Sequence, residues 1–106
     1  MSVEYKAKFT EELSSEQVAL VKNEITSMPG IVLLTANDTG DKKEMTLKFS
    51  ITDREEWPED IACDISPKEL YISFYWSPAN MDYYLLRAIE LALLRNSIDI
   101  HFEELQ

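Results

Sequence analysis

At 106 residues the chain is long enough to bury one hydrophobic core and too short for two, so a single α+β domain over 1–106 is expected. Twenty acidic residues against ten basic ones give a net charge of −10, which opposes nonspecific binding to nucleic acid or an anionic membrane. A single cysteine, Cys63, and a single histidine, His101, exclude an intramolecular disulfide framework and a cysteine-based zinc site. The segment from Met1 to Lys6 has neither the basic stretch nor the apolar core of a signal peptide, and no apolar run approaches membrane-spanning length. Cytoplasmic residence is the expectation.

Val3, Tyr5, Ala7 and Phe9 alternate with Glu4, Lys6, Lys8 and Thr10, the period of a half-buried strand. Ser14 then predicts a helix start, with Gln17 three residues on to complete a capping box. Val18, Val21, Ile25 and Met28 form its apolar stripe, and Pro29-Gly30 ends it. Ile31 to Thr35 lacks polar alternation and reads as an inner strand near the sheet centre, buried on both faces. Asn37 to Lys43 reads as a hairpin loop leading to a strand in which Met45, Leu47, Phe49 and Ile51 alternate with polar residues. After an acidic segment, Leu70 to Trp76 is a further strand. Ser77-Pro78 reads as a cap and first helical position for a helix to about Asn96, and Ile98, Ile100 and Phe102 alternate in a closing strand.

The expected order is therefore β-α-β-β-β-α-β, with two helices on one face of a four- to five-stranded, mostly antiparallel sheet. That is close to a ferredoxin-like β-α-β-β-α-β arrangement with one extra strand. The likeness is one of topology alone, and such folds carry many unrelated functions.

The most informative stretch is the acidic segment Asp53 to Asp64, which runs into Tyr71-Ile72-Ser73-Phe74-Tyr75-Trp76. Residues 53–69 carry seven acids and two bases, and residues 53–106 hold net −8 of the total charge. Read as a loop, Asp53, Glu55, Glu56, Glu59, Asp60 and Asp64 would steer lysines and arginines of a basic protein. They do not have the spacing of a calcium loop, and no metal ion or cofactor is expected. Trp57 is either an anchor for a partner or a ring folded back over the sheet edge. Strand parity sets Tyr71 and Tyr75, with Ser73 between them, opposite Ile72, Phe74 and Trp76, where they serve as anchors or as ordinary cross-strand packing.

The second helix is richer in apolar residues than one stripe requires. Met81, Leu85, Ala88, Ile89, Ala92 and Leu93 cluster on one side, while Tyr83, Tyr84, Leu91 and Leu94 fall on the other with Arg87 and Glu90. A second copy, a bound protein or another segment of the same chain would cover that far side. Cys63 lacks a neighbour to activate its thiol and His101 has only acids beside it, so no catalytic set is expected. The expectation is a small acidic cytoplasmic protein-binding module, not an enzyme, that acts as an inhibitor of a basic partner. Immunity proteins that neutralise nuclease toxins have this character. The alternative is a homo-oligomeric regulatory or small-ligand domain, with Tyr83, Tyr84, Leu91 and Leu94 at its interface.

Overall fold

The computed structural model describes residues 2–53 and 55–105. Strand β1, Val3–Lys8, leads to helix α1, Ser15–Thr26, whose capping box is made in full by Ser14 and Gln17. Strands β2, Ile31–Thr39, and β3, Lys42–Phe49, form a hairpin closed by Gly40 and Asp41. Positive φ at Gly40, the first of these two residues, is the requirement of a II′ turn. Strands β4, Ile61–Ile65, and β5, Glu69–Phe74, precede helix α2, Met81–Arg95, and strand β6, Glu103–Leu105. They lie side by side as β2-β3-β4-β5-β1-β6, with every neighbouring pair antiparallel.

The α+β class and the two helices packed on an antiparallel sheet match the sequence reading, but the sheet has six strands. The winding is that of the simpler β-α-β-β-α-β pattern with a four-strand meander between the helices, one strand more than expected. The added strand is β4, inside the segment read as an acidic loop. Its Ile61, Cys63 and Ile65 are buried while Asp64 is exposed and Ala62 half-buried, so a period-2 signal was present beneath the charges.

Three further expectations are corrected. The Ile31 run is the outermost strand, because the meander is joined to the rest of the sheet through β5 and leaves β2 at its far end. The loop Asn37 to Lys43 is mostly paired strand, with only Gly40 and Asp41 in the turn. Helix α2 begins at Met81 and not at Pro78. The chain first makes a turn from the Pro78 carbonyl to the Met81 amide (3.0 Å), and left-handed Asn80 then redirects it into the helix.

One face of the sheet carries the core. Val18, Val21 and Ile25 of α1 and Leu85, Leu86, Ile89 and Leu93 of α2 cover Ala7, Leu47, Phe49, Ile61, Cys63, Ile65, Leu70, Ile72 and Phe74. The odd-numbered residues of β1, β3 and β4 and the even-numbered ones of β5 point into this layer, as the antiparallel register demands. Each valine, leucine, isoleucine or phenylalanine among them contributes about 2 kcal/mol through removal from water. No helix among the described residues lies over the opposite sheet face. No helix among the described residues is long and apolar enough to cross a membrane.

Candidate protein-binding face

The uncovered sheet face is organised in rows set by strand register. One row crosses all six strands as Asn37, Glu44, Asp64, Tyr71, Lys6 and Glu103, and the next as Thr35, Thr46, Ala62, Ser73, Glu4 and Leu105. Within them the Thr35 and Thr46 hydroxyls lie 2.6 Å apart, and the Tyr71 hydroxyl donates to Glu4. Lys6 pairs with Glu69 at 3.3 Å.

Two residues of this face are electrostatically perturbed. The hydrogen bond to Glu4, with burial and the Glu4 charge adding to it, raises the Tyr71 phenol from 10.0 to about 12. Burial, and then the charge of Glu44 directly across the strand pair, raises the Asp64 carboxyl above its ordinary value. Like charges placed opposite one another on a sheet disfavour the fold. This pair is therefore kept at some cost in stability, on a surface open to an incoming cation.

Above these rows lies the part of the acidic segment that is a true connection, between Phe49 and Ile61. Asp53, Glu55 and Glu56 are exposed and Glu59 is half-buried, while Arg54 lies outside the described residues. The Trp57 ring sits edge-on to Tyr75, with centroids 6.4 Å apart and planes at 90°. The Trp57 ring folds back, not over an edge strand but onto Tyr75 at the end of the interior strand β5, and it remains 59% exposed, beside a Tyr75 that is 40% exposed. Trp76, expected on the core face, packs edge-on against Phe49 at 6.2 Å and stays partly in solvent.

Asp60 is the exception among the acids. It is fully buried, so it stands inside the protein and not on a docking surface. Its carboxylate Oδ2 accepts the Phe49 amide at 2.9 Å and the Thr52 hydroxyl, while its backbone bridges Leu47 and Tyr75. A buried carboxylate persists only where such donors meet it. The signal that could have singled it out is its place one residue before the strand pattern Ile61-Cys63-Ile65.

The outer side of α2 also lies in solvent. Tyr83, Tyr84, Leu91 and Leu94 are between 53% and 64% exposed, so no described segment of this chain covers them. Arg87 stacks on the Tyr83 ring at 5.2 Å and reaches Glu90 at 3.2 Å, and Glu90 in turn accepts the Phe102 amide and pins the segment leading to β6. His101 is exposed. Cys63 is fully enclosed, and burial drives its thiol far above the ordinary range, so it is a weak nucleophile. No group of three or more histidine, cysteine or acidic side chains among the described residues is placed to hold a metal ion.

The structure thus brings Trp57, Tyr75, Asp53, Glu55 and Glu56 to one end of the sheet. Tyr71 and Asp64 sit beside each other lower on the same face, and Asp60 is withdrawn. Compared with known proteins, the chain matches no family model and no curated protein sequence.

Proposed function

We propose that this protein is a small acidic protein-binding module that captures and inhibits a basic protein, in the manner of an immunity protein that neutralises a nuclease toxin. The observation that carries this reading is the exposed Trp57–Tyr75 pair, with Asp53, Glu55 and Glu56 exposed in the same connection as Trp57. Exposed aromatic rings offer apolar area at little entropic cost, and a rim of carboxylates steers lysines and arginines toward them. In such a complex the carboxylates stand where nucleic-acid phosphates would sit in the partner's basic cleft. No catalysis, metal or cofactor enters the reading, and nucleic acid and membranes are not its ligands.

The test is affinity capture at low salt with the wild-type protein and with an Asp53→Lys/Glu55→Lys/Glu56→Lys variant. A basic protein retained by the wild type, released by salt and absent from the variant is the expected outcome. Equal retention by the variant would overturn the reading. A second reading, a homo-oligomeric regulatory or small-ligand domain, is favoured by the uncovered Tyr84, Leu91 and Leu94 of α2. It requires a dimer that Leu91→Glu dissociates.

A further inference from the structure

The two edges of the sheet are unlike. Strand β6 has three residues, of which Glu103 and Glu104 are acids, so its length and charge guard it against pairing with another strand. Strand β2 has nine residues, Ile31–Thr39, and no strand among the described residues stands on its outer side in the sheet. Its single ionisable residue, Asp38, is held by Lys22 at 3.2 Å and Lys43 at 3.3 Å. No proline or lysine interrupts it, and Val32 and Leu33 are 39% and 40% exposed. One irregularity, a register shift between Leu33 and Thr35, is followed by five regularly paired positions from Thr35 to Thr39.

We infer that β2 is a pairing edge for a second copy of this chain, joining two sheets across a two-fold axis through antiparallel β2 strands. An antiparallel pair of identical strands is self-complementary, so one surface supplies both halves of the contact. The charges select this occupant. A basic segment would find no free carboxylate on β2, since Asp38 is already matched by two lysines. Two copies of net charge −10 repel one another, and they meet most cheaply where the surface is uncharged. From Ile25 to Asn37 the chain has no charged residue. The outer face of α2 is less suited to self-pairing, because a two-fold contact there gathers Arg87 and Arg95 of both copies around a Glu90 that is already engaged. The contact uses the outer backbone of β2, whereas the proposed capture of a basic protein uses the Trp57–Tyr75 pair and the acids of its connection.

The two associations carry opposite salt dependence. Screening weakens an acidic surface's hold on a basic partner and strengthens pairing of two like-charged copies. Sedimentation velocity of the full chain over a wide concentration range, at low and high salt, should reveal a dimer that tightens as salt rises. Val32→Lys with Asn37→Lys places like charges across the joint at exposed positions and should weaken it about tenfold or more. Circular dichroism of that variant checks that its fold is retained. Hydrogen exchange on the wild type gives a readout free of mutation: β2 amides should become protected as concentration rises. A chain that stays monomeric at high concentration and high salt would overturn the inference. So would a dimer that survives both lysines, is lost with Leu91→Glu, or protects α2 and not β2.

Discussion

Asp60 holds the bend after β3, because one carboxylate oxygen takes both the Phe49 amide and the Thr52 hydroxyl inside the protein. Removing a buried acceptor strands its donors, so Asp60→Ala should lower unfolding free energy by about 3 kcal/mol in urea titration, and Asp60→Asn, which keeps an acceptor, by less. An unchanged urea midpoint for the alanine variant would refute that role. Tyr71 makes a second prediction. Its phenol is raised from 10.0 to about 12 in the folded protein, so between those values the folded state keeps a proton that the unfolded chain has released. The contribution is fully present below 10 and is lost as pH rises toward about 12. Unfolding measured at neutral and strongly alkaline pH should show a smaller loss of stability in Tyr71→Phe than in the wild type. For Asp64 the opposed Glu44 predicts the reverse of the usual mutational outcome: Asp64→Asn should stabilise the fold by about 0.5 kcal/mol while weakening partner binding.

The connection from Phe49 to Ile61 positions the aromatic pair. Because Asp60 and Thr52 fix its ends while Trp57 leans on Tyr75, the ring is presented in one orientation and not on a free loop. Trp57→Ala should therefore cost about 2 kcal/mol of partner affinity by calorimetry with little effect on the urea midpoint. If the midpoint falls and affinity does not, the ring is a structural cover. The same connection explains what was legible beforehand. The capping box of α1, the stripe Val18-Val21-Ile25 and the alternation of β3 follow local rules, and local rules were enough for them. Strand β4 was hidden because Asp60 and Asp64 raised the apparent polarity of a segment whose Ile61, Cys63 and Ile65 still alternate. The edge position of β2 was not written locally at all, since it depends on which strand β1 joins. Strand parity puts Tyr75 opposite the core face, while the sequence leaves Trp57 open between an anchor and a cover; their edge-on contact comes only from the fold.

Across the whole molecule the charge is unevenly spread over the surface. Residues 53–106 hold net −8 of the −10, and within them Asp53, Glu55 and Glu56 are exposed in the connection that carries Trp57. The one charge of the β2 edge, Asp38, is matched by Lys22 and Lys43, and the outer face of α2 carries Arg87. An excess field of one sign accelerates encounter with an oppositely charged partner and loses that advantage as salt screens it. The most direct measurement is the association rate constant of the captured basic protein against ionic strength, for the wild type and for Asp53→Lys/Glu55→Lys/Glu56→Lys. The rate should fall steeply with salt in the wild type and be at least about tenfold slower in the variant at low salt. A rate indifferent to salt, or equal in the two proteins, would contradict the proposed capture.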